Sequence, residues 1–202
     1  MSQFKHDLNK EQILGRFLDH HYHKANYCFS RIDDRSLQQK GVDLIMKASD
    51  GLTYKVDEKA QLHYLNTSLP TFALEIDYTK GGRLCEGWLF DPDKVTEVYA
   101  FIFNIHLKDD KTEMPDPDDI RSCEVVFVNR LKLLVELSAL GLTYQACKAY
   151  SHRLRQAHAD DRMQHAPGFI VQVSRQLQEE PVNIIVRKRF LEQVGDKLII
   201  GP

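Results

Sequence analysis

The chain has 202 residues, of which 43% are hydrophobic and 28% charged. That mix fits a globular domain, and the length is enough to bury a core without disulfide or metal staples, so fibrous and disordered classes are excluded. Its 27 Lys+Arg against 29 Asp+Glu leave a net charge of -2, which excludes coating nucleic acid by overall charge but leaves room for a local basic groove.

The first helix is predicted to start near Asn9, whose side chain can accept a free backbone N–H, with Gln12 placed as in a capping box. Ile13, Leu14, Phe17 and Leu18 recur at helical spacing, and Tyr22 follows one turn on. Residues 41–62 alternate like two strands about a turn at Asp50-Gly51. Phe72–Tyr78 reads as a third strand, Trp88–Phe90 as a short strand or loop with Trp88 in the core, and Val95–Leu107 as a long β-rich run. A charged loop with Pro115 and Pro117 fills 108–119, and Cys123–Asn129 reads as another strand. Helices over 130–140 and 144–158 meet at Gly141, with Thr143 as N-cap of the second. The tail offers strands at Phe169–Ser174, Val182–Val186 and Leu198–Ile200, and a short helix near Phe190–Val194. No linker or repeat divides the chain. The expectation is one domain over 1–202, α/β in class, with a mixed central β-sheet flanked by helices.

Cys28, Cys85, Cys123 and Cys147 lie far apart without CxxC spacing, which predicts four reduced, mostly buried thiols. The first ten residues are polar, and no apolar run approaches 18 residues, so the chain is expected to be cytoplasmic and free of membrane.

The segment 41–62 carries the functional argument. Val42, Leu44, Met46 and Ala48 are apolar at even positions, as are Leu52, Tyr54, Val56, Ala60 and Leu62; Glu58 alone breaks the pattern. Odd positions carry Asp43, Lys47, Thr53, Lys55, Asp57, Lys59 and Gln61, with Ile45 the exception. Side chains alternate across a strand, so the two strands must share their apolar face. A two-residue turn would mix the faces. A three-residue loop, Ser49-Asp50-Gly51 with Gly51 at positive φ, pairs Ala48 with Leu52 and sets Asp43 opposite Asp57. Directly opposed Cβ atoms lie roughly 4.5–5.5 Å apart, and facing like charges destabilise a sheet. Lys59 offsets part of that repulsion, and a divalent cation would offset more: Mg²⁺ is held by one or two carboxylates plus waters and phosphate oxygens.

These residues resemble the PD-(D/E)xK nuclease superfamily, the restriction-endonuclease-like fold. Asp43 in the stretch Gln39-Lys40-Gly41-Val42-Asp43-Leu44 resembles the family's first acid, and Asp57-Glu58-Lys59 its (D/E)xK signature, with Gln61 at a position where the family often has Gln. The order of first helix, acid-bearing strand, (D/E)xK strand and third strand at Thr71–Tyr78 resembles the family core. The likeness covers residues 10–80; Val42 stands where many members have Pro. It implies a hydrolase, a Mg²⁺- or Mn²⁺-dependent endonuclease acting on DNA. Asp43 and Asp57 would bind the metal with the backbone carbonyl of Glu58. Lys59 would sit by the attacking water, and Gln61 would be a further catalytic residue. Glu11 would be the nearest candidate for the first-helix acid of some branches. Homodimer formation is left open.

Other constellations read more plainly. His20 and His23 share a helix face but lack a third zinc ligand, and with His21 they could instead contact phosphate. Lys148, His152, Arg153 and Arg155 could give the second late helix a basic face, and Arg187-Lys188-Arg189 forms another basic cluster. Residues 130–158 could form a helix-turn-helix, or an αα-hairpin packed on the sheet. Glu75 alternates with Phe72, Leu74 and Ile76, near the site or at a sheet edge. Phosphate-binding GxGxxG and GxxxxGK[ST] motifs and the GxSxG elbow are absent. Two rival functions remain: a DNA-binding protein without catalysis, and a structural or interaction protein.

Overall fold

The computed structural model describes residues 3–48, 51–109, 111–157 and 161–201, with side chains from Leu8 onward. In chain order the elements are α1 (Gln3–Lys24), β1 (Cys28–Arg31), α2 (Arg35–Gln39), β2 (Leu44–Lys47), β3 (Thr53–Ala60), β4 (Thr71–Lys80), β5 (Arg83–Glu86) and β6 (Val98–Leu107). A 3-10 turn (Pro117–Asp119) then leads to β7 (Ile120–Asn129), α3 (Arg130–Ala139), α4 (Tyr144–Gln156), β8 (Arg162–Ala166), β9 (Phe169–Val173), β10 (Val182–Arg187), α5 (Lys188–Val194) and β11 (Asp196–Ile200). They form two compact units. The first comprises the chain up to Leu69, Thr96–Asn129 and the end from Gly195; the second comprises Pro70–Val95 and Arg130–Val194.

The first unit is a six-stranded mixed sheet in the order β1-β2-β3-β6-β7-β11. Its neighbours are antiparallel except β3 and β6, which run parallel from Val56↔Val98 to Ala60↔Ile102. α1 starts six residues before the predicted cap. No Gly or Pro stands between Gln3 and Asn9 to stop it, so Asn9 lies inside the helix. The predicted apolar stripe is correct: Ile13, Leu14, Phe17, Leu18 and Tyr22 are buried against Leu44, Met46, Val56, Ala100, Ile102 and Val125. Burying each such side chain contributes roughly 1.5–3 kcal/mol. Asn26, at φ 60, ends the helix in the left-handed region that Asn tolerates, while the Tyr27 N–H donates back to the Tyr22 carbonyl at 2.9 Å. Asn104, at φ 50, marks a break in the β6–β7 register between Phe103 and His106. The extra residue turns Ile105 into the core shared with α1.

The second unit holds a five-stranded antiparallel sheet, β5-β4-β10-β9-β8. The strands therefore divide between two sheets where the patterning predicts one. The predicted third strand is present, but it lies in this second sheet; the neighbour of β3 is β6. Short strands β1, β5 and β8 and the one-turn α2 escape sequence reading because so few residues carry no usable period. α3 and α4 meet at Gly141 (φ 83), and Thr143 caps α4 by accepting the Ala146 N–H at 3.2 Å, as predicted. α4 buries Cys147, Ser151 and Leu154 and packs on β9 and β4, while α3 lies against α5. Trp88 is only half-buried; Leu89 beside it is the wholly buried residue.

Asp77 of β4 is fully buried and accepts from Ser151 (2.9 Å), Lys148 (3.1 Å) and Arg155 (2.7 Å). Lys148 and Arg155 thus turn inward, and the predicted basic face of α4 keeps only the exposed His152 and Arg153. All four cysteines are free thiols; Cys123 and Cys147 are buried, Cys85 half-buried and Cys28 exposed. Burial pushes the Cys123 and Cys147 thiols up to about 12, which keeps them protonated and unreactive.

Candidate functional site

The site is built in the first unit where β2 meets β3. α2 is capped by Asp34, whose carboxylate accepts the Ser36 and Leu37 N–H groups at 2.7 and 3.3 Å. The chain then turns through Gly41 at φ 76, where a side chain would be strained. The buried Thr96 hydroxyl donates to the Gly41 carbonyl at 2.6 Å and fixes that turn. Asp43 follows, one residue ahead of β2. Its N–H donates to Val56 O and its carbonyl accepts from Ile32 N–H, each at 2.9 Å, so both flanking strands hold its backbone.

The β2–β3 register is Leu44↔Val56, Ile45↔Lys55, Met46↔Tyr54 and Lys47↔Thr53, and the Ala48 N–H donates to Leu52 O at 2.9 Å. This is the register that the binary pattern selects, with Gly51 at φ 85. Ser49 and Asp50 of the predicted loop lie outside the described residues. Leu44, Met46 and Val56 are buried as expected, but Leu52 at the hairpin end is 60% exposed.

Asp57 is only 2% exposed. Lys59 Nζ lies 2.7 Å from its Oδ1, whereas Oδ2 is buried with no hydrogen-bond partner among the described residues. A buried carboxylate oxygen left unpaired is costly, so this atom marks a place where a ligand would stabilise the fold. Asp43 Oδ2 accepts the backbone N–H of Glu58 at 2.7 Å. Burial, and then the negative charge of Asp57, push the Asp43 carboxyl up to about 7, against the opposing pull of the Glu58 N–H and Lys59. The two acids and the lysine at the β2–β3 pair therefore interact with one another.

Glu58 points its side chain to the opposite face of β3. There it pairs with the Arg31 guanidinium and accepts the Tyr22 hydroxyl at 3.1 Å. Burial raises the Glu58 carboxyl above its ordinary value, and Arg31 opposes that rise. Arg31 also pairs with Asp19 at 2.6 Å and donates to the Gly15 carbonyl at 3.1 Å, tying α1 to the sheet behind the two acids. Sequence reading missed Arg31 and Asp19. The signal was Glu58 itself, since a lone carboxylate on an apolar face needs a cationic partner.

The remaining candidates scatter. Gln61 follows β3, half-buried, its N–H donating to Ile102 O at 3.3 Å. Glu11 is exposed on α1. His20 and His21 meet edge-on at 5.2 Å, while His23 lies against the Phe29 ring at 4.7 Å, so the three histidines form no common ligand set. Glu75 belongs to β4 in the second unit, opposite Asn183, and its carboxylate accepts the Trp88 N–H at 3.4 Å. Among the described residues no group of three or more His, Cys, Asp or Glu side chains is arranged to hold a metal. What the hairpin offers is a pair of carboxylates and backbone oxygens. No helix among the described residues is long and apolar enough to cross a membrane.

No family model matches the chain, and no curated protein and no solved structure matches it.

Proposed function

We propose that the chain is a Mg²⁺- or Mn²⁺-dependent phosphodiesterase that cuts DNA, built on a restriction-endonuclease-like sheet. The observation that carries this reading is the buried, unpartnered Oδ2 of Asp57 beside an Asp43 carboxyl raised by the same crowding. The mixed sheet, the preceding helix and the acid-bearing hairpin support the fold assignment.

The residues fit a divalent ion. Mg²⁺ is commonly held by one or two carboxylates and keeps several waters, so two acids are sufficient. Asp43, Asp57 and the carbonyl of Glu58 would hold it. When bound, it would lower the pKa of a water ligand and offset charge on the scissile phosphate. The chain's own groups would do the rest. Lys59 fixes Asp57 Oδ1, which leaves Oδ2 for the cation, and carries the positive charge that steadies developing negative charge on that face. The Glu58 N–H orients Asp43. The helix-turn-helix reading has weaker support, because α4 packs on its sheet and engages Lys148 and Arg155 with Asp77.

The test is incubation of the full chain with supercoiled, linear and single-stranded DNA, with and without Mg²⁺ or Mn²⁺. Cation-dependent cleavage by the wild type, lost in Asp57→Asn, is expected. Absence of cleavage with every substrate, or cleavage undiminished in Asp57→Asn, overturns the proposal.

A further inference from the structure

The first unit contains a cavity of about 570 Å³ that the hairpin chemistry does not use. Four cationic side chains line it, Arg16, Lys24, Lys108 and Arg121, against the single carboxylate of Asp118. That is a concentrated positive surface in a chain whose net charge is -2. Phe17, Ile120, Leu198 and Ile200 supply apolar wall.

Arg16, His20 and Lys24 are spaced at i, i+4 and i+8, so they form one row along α1, and all three line the cavity. The acids nearby are engaged elsewhere: Asp19 with Arg31, and Asp119 with Lys111. His21 lies against Phe17 with ring centroids 4.5 Å apart and planes tilted by 50°, and meets His20 edge-on. Burial, followed by the charges of His20 and Lys24, pushes the His21 imidazole below its ordinary value, as expected where cations crowd. Rings beside clustered cations at a concave wall suit a ligand with a planar face and an anionic group.

We infer that this cavity is a second binding site, which takes a nucleotide phosphate on Arg16, Lys24, Lys108 and Arg121 and the attached base against the His21 ring. The phosphate belongs either to a free nucleotide or to a nucleic-acid strand. The inference does not rest on the nuclease reading.

The test uses the full chain in EDTA, so that no cleavage intervenes. Fluorescence anisotropy follows a labelled single-stranded oligonucleotide, calorimetry follows AMP, and inorganic phosphate serves as competitor. Lys24 and Arg121 are exposed, so Lys24→Glu/Arg121→Glu should retain the fold, and Lys24→Gln/Arg121→Gln is the milder control. The charge-reversed variant is expected to lose at least about tenfold in affinity. In the neutral variant the slope of log K against log salt should shrink by about 1–2, the loss of two phosphate contacts. Saturable AMP binding assigns the site to free nucleotides, and binding of the oligonucleotide alone assigns it to a strand. Unchanged affinity in both double variants, or no binding of either ligand by the wild type, overturns the inference whatever the cleavage assay shows.

Discussion

The carboxylate of Asp43 is bound to the backbone of Glu58: its Oδ2 accepts the Glu58 N–H at 2.7 Å, across the strand boundary and beside buried Asp57. An acid so held is pre-positioned but crowded. Asp43→Asn keeps an oxygen for that N–H and removes one of two neighbouring charges. It is expected to raise the metal-free melting temperature at pH 8 by several degrees, at roughly 2–4 °C per kcal/mol, while abolishing any stabilisation by Mg²⁺. Differential scanning fluorimetry with and without Mg²⁺ checks both halves.

The same crowding sets a pH dependence. Asp43 has a folded value near 7 against an ordinary 3.8, so between about pH 4 and 7 the folded state holds a proton that the unfolded state has released. Stability from this group is therefore present at low pH and is lost as pH rises through 7. The metal-free wild type should lose stability from pH 5 to pH 8 relative to Asp43→Asn. A difference between the two that stays flat over that range contradicts the shift.

Lys59 is the positive charge that Asp57 has without a metal. Lys59→Ala should lower the metal-free melting temperature, and saturating Mg²⁺ should raise it by more than it raises the wild type's, since the ion replaces the missing charge. Cleavage should fall by about 10²-fold or more, on the scale of losing a positioned catalytic group.

Behind the site, Arg31→Ala would leave Glu58 buried with only Tyr22 as partner. Loss of one partner from a buried pair costs about 3–5 kcal/mol, and the partial exposure of Arg31 reduces this to about 2–3. Arg31→Met/Glu58→Leu should recover most of that loss. Urea denaturation of Arg31→Met, Glu58→Leu and the double variant measures the coupling; additive losses contradict it.

In the second unit, Asp77→Ala would strip Lys148 and Arg155 of their shared carboxylate inside the protein. The expected loss is again about 3–5 kcal/mol, whereas Arg153→Ala on the exposed side of α4 should change stability by no more than about 0.5 kcal/mol. Chemical denaturation of both variants gives the comparison.

Much of this was legible in one dimension. The alternation across 41–62 selects the hairpin register because a one-residue slip would turn Val56 and Met46 to the wrong face, and the structure pairs Leu44 with Val56 accordingly. The α1 stripe and the Thr143 cap were likewise written in local spacing. Glu58 showed as an anomaly, but its partner Arg31 sits on a four-residue strand too short to carry a period.

Local pattern thus determined which side chains face together within the helix and within the hairpin, because those relationships depend only on 3.6- and 2-residue periods. Tertiary structure alone decided that β3 takes β6 as its parallel neighbour while β4 joins another sheet. It also decided that Lys148 and Arg155 turn inward to Asp77, more than 70 residues away in the chain. Pairings between distant segments follow from how all the buried faces are satisfied at once, and no short stretch of residues encodes that competition.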